Sequence, residues 1–509
     1  MKNVLLNVLL VVVSAVLGLI AAEGLVRYID GYVLTTIPLS EASWSRTVRP
    51  AVVDGVPLGA GVQRDWFSTD PTPLPNRVPV PAAWQDLFRS VEDNAAAGNL
   101  FRGADAFKAW NSVFAGKPCE HWFLHLAPGQ LYLYDPTGGS PRPRYRYLPG
   151  STLPSAMVTN QIGWRGAPIE HPRGARSVRI VFVGASTTLD SPYMPFSWPE
   201  FVGLWLNHWA KSKGLDVHFE ALNAGRDGID SSDIAAVVRT EVLPLRPELV
   251  VYYEGSNQFS LRTIVPNVPQ SPPFHATPSE SASAWLRSAA RYSALAGRVK
   301  AAAVAINDRE QDDGREPTKP DYKIEWPKGL DEQDPDLSYP RLPLNLNTIL
   351  RDLDEIRGDL AGIGSDFAFS SFMWFVKDGM VLDPVRYRYI LEQLNVLNYP
   401  FRYRDVERLA AFQNRVFAKY AAAHGLIFLD IAHLMPFEPD LFLDAIHTSY
   451  AGTRVRAWVA FNQLLPTIEK HIADGSWPRP WPVDAPAALP TFTPRHVTFN
   501  CGPIAETKK

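Results

Sequence analysis

A chain of 509 residues, with 46% apolar and 20% charged positions, has too ordinary a composition to be disordered. It is long enough for one large domain or two to three smaller ones. The 50 Lys+Arg and 53 Asp+Glu residues leave a formal net charge of −3, which gives no general drive toward nucleic acid.

Residues 4–22 carry no charge, and only Asn7, Ser14 and Gly18 interrupt the aliphatic run. As a helix this segment would be about 28 Å long, close to the thickness of a bilayer's hydrocarbon core. A secretory apolar region is shorter, about 7–15 residues, and no good Ala-x-Ala site follows, which favours a retained anchor (residues 1–32) over a cleaved signal. Lys2 lies on the short side, so the remainder is expected outside the cytoplasm, on the periplasmic side in a bacterium. Glu23 and Arg27, four apart, fall where such a helix leaves the membrane. Cys119 and Cys501 are the only cysteines. An oxidising compartment favours a bridge between them, with two separate thiols as the alternative.

Residues 33–170 form a Pro-rich accessory region with a helix expected over 82–114 and β-like runs at 122–126 and 130–134. From about 177 the pattern changes to strands alternating with helices. Strands are expected at 178–183, 217–222, 249–253, 367–372 and 426–430. Ser197-Trp-Pro-Glu200 is a capping-box signature opening a helix with Phe201, Leu204, Trp205 and Trp209 on one stripe. Further helices are expected at 233–242, ended by Pro244, around Leu350, Leu353, Ile356 and Leu360, at 405–423, stopped by Gly425, and at 451–471. This is the pattern of an α/β fold, a doubly wound parallel sheet in three α/β/α layers of flavodoxin-like type, over 171–474. Two insertions interrupt it, 258–343 and 376–404. The first holds an Ala-rich helix over 280–305 and then, between Asp308 and Arg341, 11 acidic and 6 basic residues, read as a solvated, mobile loop. A tail, 475–509, carries seven prolines and is expected to run extended, wrapping back over the body.

In an open parallel sheet, ligands bind at the carboxyl ends of the strands. The first strand runs into Gly184-Ala-Ser186-Thr-Thr, the second into Asn223-Ala-Gly225-Arg-Asp-Gly228, and the third into Glu254-Gly-Ser-Asn257; the last is followed by Asp444-Ala-Ile-His447. Together they supply a serine nucleophile, a histidine to take its proton, a carboxylate to orient that histidine, and donors for a developing oxyanion. Each block alone is common; their ordered conjunction is not.

The four blocks, in this order and spacing over about 177–472, resemble the SGNH (GDSL-type) hydrolase superfamily. The resemblance reaches back to Asn160-Gln-Ile-Gly-Trp-Arg165, similar to a segment preceding the catalytic domain in membrane-anchored members. It implies Ser186 as nucleophile, Asp444 and His447 as its relay, and Ser186, Gly228 and Asn257 as oxyanion donors. The chain departs from the family pattern at Ala185, where the family has Asp, and at G-S-N-Q in place of G-x-N-D. The α/β-hydrolase elbow needs a second glycine that Gly184-Ala-Ser-Thr-Thr188 lacks.

Arg226 and Asp227, inside the glycine loop, either orient substrate or pair with each other. Trp205, Trp209 and Trp458 read as core residues. His121 and His125 have a metal spacing only on a helix, and the β-like run around them argues against a metal site; no cofactor is called for. Three functions compete. The first is an extracytoplasmic serine esterase that deacetylates an envelope glycan or cleaves another acyl ester. The second is a polysaccharide O-acetyltransferase using the same acyl-serine, and the third a non-catalytic glycan-binding protein retaining the fold.

Overall fold

The computed structural model describes residues 2–29, 50–82, 111–116, 130–134, 141–269, 289–308 and 314–498, with Cys119, Cys501 and a few isolated positions; residues 154–156, 193, 291, 385 and 491 are not described. The first element is a helix, Lys2–Ile29, whose Leu6–Ile29 span has mean hydropathy 2.5 and holds an 18-residue apolar window that no other described residue buries, while Val26 and Arg27 at its end are buried. By length and composition it can cross a membrane. Its Glu23 and Arg27 pair at 2.6 Å. Glu23 also accepts from the Ala294 and Leu295 N–H groups (2.9 and 3.0 Å), so the end of this helix is fastened to the start of helix Ala294–Asp308.

The described strands are β1 (Ser112–Ala115), β2 (Gln130–Tyr134), β3 (Tyr145–Tyr147), β4 (Ser177–Gly184), β5 (His218–Asn223), β6 (Leu249–Tyr253), β7 (Asp366–Ser370), β8 (Ile427–Leu429) and β9 (Arg495–Thr498). They form two sheets. The smaller has the order β3-β1-β2-β9, with β9 returning from the tail to pair antiparallel with β2. Cys119 and Cys501 are bonded, Cα atoms 5.4 Å apart, tying the tail to the same region.

The larger sheet has the order β5-β4-β6-β7-β8, parallel throughout. Residues of β4 and β6 are buried on both faces, as expected of a central parallel strand. Alternation shows what covers each face. Phe182 and Tyr253 meet Trp198 of helix Trp198–Ser212 (4.7 and 5.8 Å), while Tyr252 and Phe369 on the other side meet each other, and Phe369 meets Phe417 of helix Tyr403–Ala423 (4.7 Å). Helix Tyr450–Ala473 joins the first layer, where Trp205 and Trp458 meet edge to face at 4.9 Å, and both are buried, as is Trp209. The expected doubly wound three-layer core is what forms.

Four expectations change. The helix expected over 82–114 does not extend to its end, because 112–115 is strand β1, held between β2 and β3. The helix expected over 233–242 is Ser231–Val237 followed by a wider turn, Val238–Val242. Of the Ala-rich helix expected over 280–305, residues 280–288 lie outside the described residues, and the described helix is Ala294–Asp308, after turns at Ala290 and Tyr292. The charged stretch after Asp308 is not a free loop where it is described: Lys319 is buried and donates to the Leu394 and Phe401 carbonyls (3.2 and 2.6 Å), Trp326 packs on Phe412 at 5.0 Å, and Glu332 pairs with Arg408 and Arg415 (2.5 and 3.4 Å). Two of its acidic residues, Glu332 and Asp334, have basic partners on helix Tyr403–Ala423, which composition cannot reveal. The run expected at 122–126, with His121 and His125, lies outside the described residues.

Candidate active site

Strand β4 ends at Gly184, where a Cβ would stand 2.2 Å from the Tyr253 carbonyl and 2.1 Å from Thr188 Oγ1, so only glycine allows the chain to turn here. A single helical turn, Ser186–Leu189, follows and lifts Ser186 to the sheet's edge. It ends at Asp190, a non-glycine residue at φ +63°. That strained conformation is held on several sides. The Asp190 carboxylate accepts from the Trp198 N–H (2.7 Å) and Thr453 Oγ1 (3.1 Å) and pairs with buried Arg456. Asn223 Nδ2 donates to the Thr188 carbonyl (3.0 Å), and Arg165 donates to the carbonyls of Leu189, Asp190 and Ser191 (3.0, 3.1 and 2.9 Å) and Met194 (2.5 Å).

Against this turn lies the loop after β8. His447 Nε2 is 2.7 Å from Ser186 Oγ, and its Nδ1 is 2.8 Å from Asp444 Oδ2. The other Asp444 oxygen accepts from the Ile446 and His447 N–H groups (2.9 and 2.7 Å), so the carboxylate and ring form one unit. Burial by itself would depress His447, but the Asp444 charge and hydrogen bond, with help from Asp227, outweigh it and hold the imidazole above its ordinary value. Burial would raise Asp444; its bonds to His447 instead keep it below the usual carboxylate range.

The remaining residues border this trio. The Arg226 N–H donates to the Gly184 carbonyl (3.2 Å), bringing the 223–230 loop against the serine turn. Gly228 within it is exposed, at φ +65°. Asn257 Nδ2 donates to the carbonyl of Ile229, next to Gly228, at 2.7 Å, leaving its second amide hydrogen for another acceptor. One sequence reading needs correction. Arg226 does not reach toward substrate, nor does it pair with Asp227: it is buried, and its guanidinium turns inward to the carboxylate of Glu241, fifteen residues on. Asp227 stays half-exposed and contributes charge near His447.

Sequence reasoning assigned no role to Glu254, yet its Oε1 accepts from the Ser256 and Asn257 N–H groups (2.7 Å each) and so fixes Asn257. The signal was a carboxylate directly after the apolar run of β6, where burial demands partners. Among the described residues no cluster of three or more His, Cys, Asp or Glu could hold a metal ion.

No family model matches this sequence, and no curated protein does. Among solved structures, the chain is similar to an acetylxylan esterase from Geobacillus stearothermophilus, with 13% identity over 57% of this chain and 96% of that one, at a TM-score of 0.31. A GDSL-like lipase from Bacteroides thetaiotaomicron aligns at 13% identity, 59% and 92% coverage and TM-score 0.28, and an acylhydrolase from Bacteroides fragilis at 14%, 58% and 88%, and 0.28. Superpositions this loose leave the functional reading to the site's own geometry.

Proposed function

We propose that this chain is a serine esterase of SGNH type, with Ser186 as nucleophile, His447 as base, Asp444 as the group orienting it, and the Ser186 and Gly228 N–H groups with the Asn257 amide as oxyanion donors. The observation that carries the reading is the unbroken relay from buried Asp444 through His447 to Ser186 Oγ, at 2.8 and 2.7 Å. His447 takes the Ser186 proton as Oγ attacks an ester carbonyl, then returns it to the departing alcohol, leaving an acyl-serine. Water, deprotonated by the same imidazole, releases the acid and restores the serine. The apolar helix Lys2–Ile29 supports a membrane tether with the body outside the cytoplasm, and hence an acetylated envelope glycan as substrate.

The test uses the full-length chain with an activated acetyl ester and an acetylated glycan. Free acetate is expected from both. Ser186→Ala should lower turnover by about 10⁴-fold or more while leaving the fold intact. Serine-independent turnover would place the nucleophile elsewhere, and acetate passed to a glycan acceptor in preference to water would make the chain a transferase.

A further inference from the structure

The smaller sheet reaches into the site at one place. Tyr145, on β3, donates its hydroxyl to the backbone carbonyl of Asp227 at 2.7 Å. That carbonyl belongs to the peptide whose N–H is Gly228's. The bond is trans, so its C=O and N–H point in opposite directions. An acceptor held by Tyr145 therefore turns the Gly228 N–H away from the accessory sheet. Without such a hold, the peptide before a glycine at positive φ can rotate, since the two common turn types differ by that rotation. The phenol is fully buried, beside Tyr147, which keeps it protonated and a donor.

The residues around Tyr145 grip the same loop. Arg142 and Arg144 pair with Asp230 (2.6 and 3.3 Å) and with Asp233 (3.0 and 3.3 Å). Arg146 reaches Glu241 (3.1 Å), the carboxylate that also holds Arg226 and the Trp164 indole. On the far side Asn257 holds the Ile229 carbonyl. The loop is thus gripped on both sides of Gly228, and the carbonyl of the 227–228 peptide itself is held by the Tyr145 hydroxyl.

We infer that Tyr145 is a positioning residue of the active site, fixing the Asp227–Gly228 peptide so that the Gly228 N–H stays available to the oxyanion. The inference rests on the esterase reading above and makes the accessory sheet part of the catalytic apparatus.

Tyr145→Phe removes the hydroxyl and keeps the ring, which packs on Phe114 and Tyr147. The comparison is Tyr132→Phe on the same sheet, whose ring packs on His496 instead. Serines are counted by titration with a fluorophosphonate, and kcat and KM are measured on an activated acetyl ester. Loss of a whole oxyanion donor costs 10²–10³-fold in kcat. A donor free to rotate but still present should cost about 10-fold. Y145F is expected to lose that much kcat per titrated serine with KM unchanged, and Y132F to match wild type. Unchanged kcat per serine in Y145F, a loss confined to KM, or an equal loss in Y132F would overturn the inference. A wild-type chain without Ser186-dependent turnover would overturn the esterase reading instead. Crystal structures would then decide the role of Tyr145: a rotated or divided 227–228 peptide in Y145F upholds the tether, and one unchanged orientation removes it.

Discussion

Arg165 offers the sharpest test of how the nucleophile is held. Its guanidinium is buried and donates to four backbone carbonyls between Leu189 and Met194; its nearest carboxylate, Glu200, is 4.0 Å away. Replacement by Met keeps much of the side-chain volume and removes every donor. Three of the four acceptors share Nη1, which has only two hydrogens, so about three effective bonds are lost. A hydrogen bond to a charged group contributes about 1.5–3 kcal/mol, and Ser191, at the edge of the site, can recover water. The expected loss is therefore about 3–5 kcal/mol, a large part of the 5–15 kcal/mol that a folded chain commonly has. Arg165→Lys, able to satisfy one or two carbonyls, should lose about half as much. Urea unfolding of the full chain in detergent measures both, and fluorophosphonate labelling reports whether Ser186 stays reactive in the folded fraction. A loss below about 1 kcal/mol in R165M, with labelling unchanged, would mean that Asn223 and the Asp190–Arg456 pair hold the serine turn unaided, and would refute this reasoning.

With His447 as the neutral base of the proposed esterase, binding its proton more tightly than a free imidazole, the acid limb of kcat/KM should fall above pH 6.5, and Asp444→Asn should move it down while lowering kcat by about 10⁴-fold. The same shift makes the His447 proton a stabilising one: its contribution is full below the unfolded value of 6.5 and is lost as pH rises through the folded value, as a pH series of unfolding midpoints will show if the sign is right. Glu254→Ala leaves the Ser256 and Asn257 N–H groups without their acceptor, so stability should drop by about 2–3 kcal/mol and kcat should fall with the loosened Asn257; a change in neither would remove Glu254 from the site's support. Reducing the Cys119–Cys501 bridge, which spans 382 residues, should lower stability by about 6 kcal/mol at most in the chain-entropy model, and an unshifted melting midpoint under reductant would show that β2–β9 pairing suffices.

What could be read from the sequence was what is local. Strand β6 falls where it was expected, 249–253, because a continuous apolar run bounded by Glu248 and Glu254 admits few other placements. The capping box at Ser197 forms, with Glu200 accepting from the Ser197 N–H at 2.6 Å, because both partners lie within one turn. The meeting of Ser186, Asp444 and His447 could be anticipated because each occupies a strand end or the loop after one, where side chains from several strands converge. The misread parts have partners far along the chain. Strand β1 is four residues whose neighbours come from 130–134 and 145–147. Arg226 sits in a glycine loop that suggests exposure, yet a carboxylate fifteen residues later draws it inward. Arg165 and Tyr145 were invisible as supports because the backbone they hold lies 24–29 and 82 residues away.

These hidden contacts share a physical cause. Loops that leave a parallel sheet at its carboxyl edge carry carbonyls and N–H groups with no ladder to join, and each must find a partner or stay wet. Here Arg165 and Asp190 supply such partners around the serine turn, and buried ion pairs, Asp190 with Arg456 and Glu241 with Arg226 and Arg146, fix the loops side chain to side chain. Behind the sheet, Glu248 takes Arg173 at 2.6 Å and the Arg479 N–H at 3.0 Å, fastening the tail. Such pairs add little net stability, since desolvation cancels much of their attraction, but an unpaired member is costly, so each permits one arrangement of its loop. Apolar contacts alone would tolerate sliding. A relay that needs 2.7–2.8 Å contacts between residues 186, 444 and 447 does not. Exchanging the Glu241, Arg226 and Arg146 group together for apolar side chains of similar volume, with Trp164→Phe so that no buried indole N–H is orphaned, should therefore leave the melting midpoint near wild type and lower kcat; equal kcat in that variant would show that the glycine loop is positioned without its ions.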